Sequence, residues 1–287
     1  MKFAVTVVSP PGYIHSAVFQ EVAETIHYGL TSLDHDSVLT TIGELPGRQH
    51  IVLGSNLLPH FPLSLARDAI LYNLEQVEIG SSWFRPELID IFRRHVIWDY
   101  SEQNAIALRS LGVRVAHVLP IGYVKELTRI QRTTKPDIDV LFIGSMNPRR
   151  RAIIDSVRAT GLRVEAVFGS YGKERDTLIG RAKLLLNVHY YDAKVLEMVR
   201  LSYLLANQCT VLSERSANPV DDDILADGVA FADYQLLATR ARQLIDAPEE
   251  RSRIARRGFE IMNARPEKAY LHAAIIQTGL GSAPTTE

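Results

Sequence analysis

Short apolar runs rich in valine and isoleucine alternate along this chain with segments whose apolar residues recur at helical spacing. Runs of this kind predict strands buried on both faces, as in a parallel sheet covered by helices. The predicted strands of the first half are 3–8, 38–41, 51–53, 70–73, 96–98 and 113–118. A helix is predicted after the first strand, because Val18, Val22, Ile26 and Leu30 form one apolar stripe.

The same alternation restarts after residues 120–136, a polar, basic and weakly periodic segment that we interpret as an interdomain connection. The predicted strands of the second half are 139–143, 164–168, 184–188 and 209–213. The predicted helices are one beginning at Pro148 and those over 173–181, 193–206, 236–245, 249–262 and 266–278. The pattern predicts an α/β protein with Rossmann-like domains over 1–125 and 137–265, a C-terminal helix over 266–280 and a disordered tail over 281–287.

Composition limits the class of protein without identifying it. The chain has 287 residues, 46% of them hydrophobic and 23% charged, which is enough to bury two cores. A formal net charge of −1 argues against nucleic acid as a partner, and a single cysteine excludes an internal disulfide. We find neither a signal peptide nor a run of about 20 apolar residues, so we expect a cytoplasmic protein, with peripheral membrane contact left open.

The strongest functional signal is the segment from Leu185 to Glu214. A buried strand is followed by a loop, and we expect Asp192 to cap a helix that opens near Ala193. The loop and helix carry these polar or aromatic side chains: His189, Tyr190, Tyr191, Lys194, Glu197 and Arg200. Ligands of open α/β sheets bind at the carboxyl ends of strands, and a helix N-terminus attracts phosphate. The segment therefore predicts an anion-binding site.

This segment resembles the donor-binding half of GT-B glycosyltransferases, especially glycosyltransferase family 4 and its shorter relatives. That family carries two glutamates separated by seven residues, then a helix, a glycine and a valine-rich strand. Glu197 matches the second glutamate, which implies a ribose ligand, whereas His189 stands at the place of the first. Asn207 stands for the glycine, as a left-handed cap. An alignment from the strand end puts Ser202 in place of Glu197, and a surface salt bridge between Glu197 and Arg200 is the structural alternative.

Two flanking segments share the resemblance, which together covers nearly all of residues 137–265. Residues 140–145, followed by three arginines, resemble the opening strand and loop of a GT-B donor domain, and residues 231–258 resemble its closing helices. The resemblance implies two Rossmann-like domains facing across a cleft. The donor-binding residues it implies are Gly144, Ser145, Arg150, His189, Tyr190, Lys194 and Glu197.

The first half resembles these enzymes in architecture only. Gly12 and His15 follow its first strand, and in some inverting GT-B families a histidine in this loop deprotonates the acceptor hydroxyl. We assign His15 as the candidate catalytic base, with an ordinary helix-start role as the alternative. Asn73 and Glu75, at the end of another strand, are candidate acceptor-side residues beside Gly12. Capping or buried hydrogen bonding explains them equally well.

Other chemistries fit less well. The run 221–223 of three aspartates is more typical of a solvated loop or cap than of a metal site, and GT-B enzymes generally need no metal. Cys209 opens an apolar strand and no nucleophile elbow occurs. We therefore expect a metal-independent glycosyltransferase that uses a nucleoside diphosphate sugar, needs no cofactor and acts on a glycan, small-molecule or protein acceptor. The alternatives are a non-catalytic sugar-nucleotide-binding protein and, less favoured, a nucleotide-sugar epimerase.

Overall fold

The computed structural model describes residues 1–78, 81 and 83–280. It divides into two compact units, the first formed by Met1–Val124 with the chain from Arg265 onwards and the second by Lys125–Ala264. The chain passes from the first unit to the second between Val124 and Lys125, within the segment 120–136. The final helix belongs to the first unit. The predicted tail over 281–287 lies outside the described residues.

The elements follow the alternation expected from the sequence. The strands are β1 Lys2–Val7, β2 Asp36–Thr40, β3 Gln49–Leu53, β4 Ile70–Asn73, β5 Val96–Asp99, β6 Val115–Val118, β7 Ile138–Ile143, β8 Val164–Val167, β9 Ala182–Asn187, β10 Val211–Glu214 and β11 Ala230–Ala232. The helices are α1 Gln20–Thr31, α2 Pro86–Phe92, α3 Glu102–Ser110, α4 Pro148–Ala159, α5 Gly172–Arg181, α6 Met198–Ala206, α7 Pro219–Ile224, α8 Leu237–Asp246, α9 Pro248–Asn263 and α10 Glu267–Gln277.

The first unit is built on a six-stranded sheet in the order β2-β1-β3-β4-β5-β6, with every pair parallel. Helix α1 buries Val22, Ile26 and Leu30, as the apolar stripe predicts. Val18 does not join this stripe and is 42% exposed. It lies in a 3-10 helix over Ile14–Phe19, whose tighter winding turns it away from the sheet.

The second unit is built on a five-stranded parallel sheet in the order β11-β10-β9-β7-β8. Its core joins inward-facing residues of these strands, such as Val140 and Leu186, to helix residues such as Ile154 and Leu244. The first strand in sequence, β7, lies between β8 and β9, so the strand order reverses there. The carboxyl ends of β7 and β9 therefore flank the crevice in which open α/β sheets bind ligands.

The predicted helix over 193–206 is wrong at its start, because α6 begins at Met198 and Asp192 caps no helix. Lys194 adopts a left-handed φ of 45°, which a continuing helix does not allow. Its carbonyl accepts a hydrogen bond from the Ala217 amide (3.0 Å), so this loop is held by the chain that follows β10. At the other end of α6, Gln208 adopts the left-handed conformation (φ 53°) and Asn207 does not (φ −109°).

Asn207 has another structural role. Its Oδ1 accepts hydrogen bonds from the amides of Arg129 (2.7 Å) and Ile130 (2.8 Å). Its Nδ2 donates to the carbonyls of Leu127 and Tyr203, both at 2.8 Å. One buried amide side chain therefore joins residues 127–130 to α6.

The predicted fold class is confirmed: each unit has a parallel sheet with alternating helices, as in Rossmann-like domains. Within residues 1–78, 81 and 83–280, no helix combines the length and apolar character needed to cross a membrane.

Candidate functional site

Gly144 follows β7 at the point where the strand order of the second unit reverses. Its φ is +150°, and a Cβ at this position would lie 3.0 Å from Arg200 Nη2 and 3.4 Å from Arg150 Nη1. Glycine thus allows two guanidinium groups to lie against the backbone. Ser145, the next residue, is exposed. The structure therefore places two guanidinium groups at the strand end where the strand order reverses.

Glu197 lies beside this position in a group of buried and partly buried side chains that we call the Glu197 cluster: Arg150, Asn187, His189, Glu197 and Arg200. Oε2 of Glu197 accepts a hydrogen bond from Asn187 Nδ2 (2.5 Å), and Oε1 lies 3.4 Å from Arg150 Nη2. Arg200 Nη1 donates to Asn187 Oδ1 (2.6 Å). The ion pair of Glu197 is thus with Arg150, on another helix. The structural alternative, an exposed surface pair with Arg200, is wrong, because the Glu197 side chain is only 12% exposed and its ion pair is with Arg150.

The electrostatics of this cluster keep Glu197 ionised. Burial by itself raises the pKa of the carboxyl, but contact with His189 and the charges of Arg200 and Arg150 lower it to about 2. His189 is fully buried, with Nδ1 3.5 Å from Glu197 Oε2. Among the described residues, neither ring nitrogen of His189 has a hydrogen-bond partner. His189 consequently contributes to the wall of the site and not to its exposed face.

Arg150 is a buried side chain that links two backbone segments of the site. It is 3% exposed, and it donates from Nε to the Val188 carbonyl (2.8 Å) and from Nη1 to the Ser145 carbonyl (2.9 Å). Burial, followed by repulsion from Arg200, lowers its pKa to about 10. These bonds join the loop after β7 to the end of β9. Tyr190, 39% exposed, covers the guanidinium, with its ring centroid 5.1 Å from Cζ.

A second charged group, the Glu214 cluster, lies at the neighbouring strand end and consists of Arg149, Lys194 and Glu214. Glu214, the last residue of β10, is 2% exposed and accepts hydrogen bonds from both terminal nitrogens of Arg149, one at 2.6 Å. Lys194 Nζ lies 3.4 Å from Glu214 Oε1, and its side chain is 37% exposed. The donor-site residues assigned from the sequence do not include Arg149, Arg200 or Glu214, although the first two lie in segments that the sequence analysis singles out. The signal for Glu214 was a carboxylate that directly follows a buried strand.

The two clusters together carry four cations and two carboxylates, an excess of two positive charges. Asp192, whose charge acts on Arg149, reduces that excess to one. Arg150 is buried and Arg149 is engaged by Glu214, whereas Lys194 and Arg200 are only partly buried. Such an edge can hold an anionic group such as a phosphate. Among the described residues, no group of three or more His, Cys, Asp or Glu side chains could hold a metal ion.

Two of the predicted acceptor-side residues, Asn73 and Glu75, lie at the carboxyl end of β4, beside Asp99 at the end of β5. Asn73 is 1% exposed and donates from Nδ2 to Asp99 Oδ2 (2.6 Å) and to the Glu75 carbonyl (2.9 Å). Asp99 also accepts from the Ser101 amide (2.9 Å) and from Asn104 Nδ2 (3.1 Å). Asn73 is therefore a buried link that holds the backbone of Glu75 in place. Burial raises the pKa of both Glu75 and Asp99 to about 7.

The residues predicted after β1 lie in an exposed turn and in the 3-10 helix. Gly12 is exposed with φ +76°, and no atom lies within 4 Å of the position a Cβ would take. The His15 ring lies 5.3 Å from the Tyr13 ring. The pKa of Tyr13 is raised by burial and by the charge of Glu75, so Tyr13 and Glu75 share this edge of the sheet. The catalytic assignment of His15 stays a prediction.

Comparison with known proteins gives few sequence relatives. No protein-family model matches the chain. The uncharacterized protein L138 of Acanthamoeba polyphaga mimivirus is 38% identical over 125 residues, which cover 42% of this chain and 14% of L138. The uncharacterized protein L140 of the same virus is 32% identical over 166 residues, 54% of this chain and 51% of L140. The chain thus spans about half or less of the length of these relatives.

Solved structures show the fold more fully. AviGT4, a glycosyltransferase involved in avilamycin A biosynthesis, superposes with a TM-score of 0.56 and 14% identity over 97% of both chains. A DNA-modifying β-glucosyltransferase whose substrate is uridine diphosphoglucose superposes with a TM-score of 0.60 and 12% identity over 98% of this chain and 100% of its own. HepE of Anabaena, in complex with UDP, superposes with a TM-score of 0.53 and 11% identity over 96% of this chain and 98% of its own. The fold is GT-B. At these identities the likeness to GT-B glycosyltransferases concerns the fold alone.

Proposed function

We propose that this chain transfers a sugar from a nucleoside diphosphate sugar to an acceptor, with the diphosphate bound at the carboxyl ends of β7 and β9. The observation that carries the proposal is the close approach of two guanidinium groups to Gly144 at the point where the strand order reverses. The GT-B fold and the resemblance of residues 137–265 to glycosyltransferase donor domains support it.

The proposed donor contacts are made by the accessible groups of this edge: Gly144, Ser145, Tyr190, Lys194 and Arg200. The glycine lets the diphosphate approach the backbone, and the two cations neutralise its charge. Negative charge grows on the diphosphate as the glycosidic bond breaks, so fixed cations there stabilise the transition state more than the bound donor. This differential stabilisation is the proposed source of catalysis.

Glu197, Arg150 and His189 form the proposed supporting layer. Both oxygens of Glu197 already contact protein groups, which fixes Asn187, and Asn187 in turn orients Arg200. Glu197 is therefore a positioning residue in this proposal, and a ribose contact would have to share its oxygens. Membership of glycosyltransferase family 4 is part of the same proposal and rests on the sequence pattern.

The proposed reaction needs no metal, because Lys194 and Arg200 provide the charge that a divalent cation would otherwise supply. Excess EDTA should therefore leave turnover within about twofold of the untreated rate, a change of about 0.4 kcal/mol in the barrier. Loss of activity in EDTA followed by recovery with Mg²⁺ or Mn²⁺ would contradict metal independence while leaving the donor site intact.

The experiment that tests the function is release of nucleoside diphosphate from a panel of uridine, guanosine, adenosine and thymidine diphosphate sugars. We expect one nucleotide class to be turned over, slowly with water and faster with an acceptor. Arg200→Ala should abolish this turnover. Arg257→Ala is the matched control, since Arg257 is exposed and forms a surface ion pair with Glu260 (3.2 Å). Donor binding without any turnover would favour a non-catalytic sugar-nucleotide-binding protein.

A further inference from the structure

A second basic concavity lies at the opposite edge of the second unit's sheet, where its strands begin. We call it the basic pocket, and its volume is about 530 Å³. The lining residues used below are Arg132, Lys183, Thr210, Arg251, Ser252 and Arg256. Lys183 is the second residue of β9, and Thr210 directly precedes β10. Arg251, Ser252 and Arg256 belong to α9. The pocket is thus separate from Gly144 and the two clusters, which lie at the carboxyl ends of the strands.

The charged side chains that line the basic pocket are all positive. They are Arg132, Lys183, Arg251 and Arg256, and none of the described residues lining the pocket is an aspartate or glutamate. Two acids act on the pocket. Asp139 Oδ1 lies 2.7 Å from Lys183 Nζ and 3.3 Å from Arg163 Nη2, and the charge of Asp246, which also pairs with Arg242, acts on Arg251. Since each acid is shared with an arginine outside the pocket, the two together cancel at most two of the four lining charges. An excess of at least two positive charges therefore remains.

Two of these cations are held rigidly by backbone carbonyls. Arg251 Nη1 donates to the carbonyls of Leu244 and Ile245, both at 2.6 Å, at the end of α8. Arg132 Nη2 donates to the Ala182 carbonyl (3.0 Å), where β9 begins. Carbonyls orient a guanidinium without neutralising it. An anion entering the pocket thus meets charges already in position, which lowers the entropy cost of binding.

We propose that the basic pocket binds a small ligand that carries two or more phosphate groups. Its volume falls within the range of about 300–1,000 Å³ that is usual for small-molecule sites. Four lining cations with an excess of at least two positive charges match a di- or triphosphate better than a single phosphate. A nucleic acid strand is disfavoured, because the chain has a net charge of −1 and the cations surround one concavity instead of a long stripe. This site is additional to the proposed donor site.

The test is calorimetric titration of the full chain with inorganic tripolyphosphate, at low ionic strength and without nucleotide. Arg256→Glu reverses one charge of the pocket, and Arg253→Glu is the matched control, since Arg253 is exposed on the same helix and does not line the pocket. We expect the affinity for tripolyphosphate to fall about tenfold or more in Arg256→Glu and to stay within about twofold in Arg253→Glu. Equal affinities in the two variants, or no binding by the wild type, would overturn the proposal.

The donor site could itself attract tripolyphosphate, so two further variants separate the sites. Arg200→Ala should retain the binding that Arg256→Glu loses, and a loss confined to Arg200→Ala would assign the binding to the donor site and overturn the proposal. Ser252→Glu introduces a carboxylate at an exposed pocket position and replaces Arg256→Glu if that variant fails to fold. The melting temperature of each variant without ligand controls for folding.

Discussion

Glu197→Gln tests whether the Glu197 cluster supports the fold of the second unit. The variant keeps the shape of the side chain and removes the charge that Arg150 and Asn187 Nδ2 contact. The pKa of Glu197 is lowered from 4.5 to about 2, which corresponds to about 3 kcal/mol of stability carried by the ionised form. We expect Glu197→Gln to lose a free energy of unfolding of about 3 kcal/mol at pH 7, since it leaves a buried guanidinium without its anion.

The pH dependence of the free energy of unfolding tests the same prediction independently. A carboxyl whose pKa is lowered by folding stabilises the native state fully above its unfolded pKa, here 4.5. That contribution is lost as the pH falls from 4.5 towards 2. The wild type should therefore lose about 3 kcal/mol more than Glu197→Gln over this interval, and the two stability curves should converge at the acidic end.

The assay is urea unfolding followed by circular dichroism, which reports on both units, at pH 7, 5, 4, 3 and 2. Glu260→Gln is the matched control, because the Glu260 side chain is 52% exposed and pairs with Arg257 at 3.2 Å. Its free energy of unfolding should stay within about 0.5 kcal/mol of the wild type. If Glu197→Gln and Glu260→Gln are equally stable at pH 7, and their pH profiles run parallel, the buried-network account is refuted.

Three other changes test separate parts of the structure. Gly144→Ala should lose nucleotide binding, measured by calorimetry, whereas Gly161→Ala, where φ is +83° and no atom lies within 4 Å of the new Cβ, should lose only about 1 kcal/mol of stability. Asn207→Gly should lower the melting temperature by about 6 °C or more, because it deletes four buried hydrogen bonds. An unchanged or higher melting temperature would support the left-handed cap expected from the sequence instead. Cys209, buried with a thiol pKa raised to about 11, should resist iodoacetamide at pH 8 until urea is added, and rapid native alkylation would contradict its burial.

The sequence predicts the sheets well because their strands are encoded locally. The strand Ile70–Asn73 is found as predicted, and Ser101 caps α3 by accepting from the Asn104 amide. Pro148 begins α4 as expected, with Asn147 as its cap. Apolar runs, caps and proline act within a few residues, so a single sequence carries this information.

Other features depend on contacts that the sequence does not reveal. The loop before α6 is held by a hydrogen bond from the Ala217 amide to the Lys194 carbonyl. These two residues are far apart in the sequence, so local periodicity does not predict their contact. Helical spacing offers Arg200 as the partner of Glu197, whereas its ion-pair partner in the structure is Arg150, which lies 47 positions away on α4 after β7. The return of α10 to the first unit also depends on a contact between distant residues, since the Glu267 carboxylate accepts a hydrogen bond from the Gly122 amide (2.5 Å).

The most direct test of the central claim is titration calorimetry of uridine, guanosine, adenosine and thymidine diphosphates into the wild type, Arg200→Ala and Arg257→Ala. We predict that one diphosphate binds the wild type and Arg257→Ala with equal affinity. Its affinity for Arg200→Ala should be lower by about ten- to a hundredfold, the effect of losing a charge-assisted hydrogen bond of about 1.5–3 kcal/mol. Binding that is unchanged in Arg200→Ala, or a wild type that binds none of the four, would contradict a nucleoside diphosphate site at the carboxyl ends of β7 and β9.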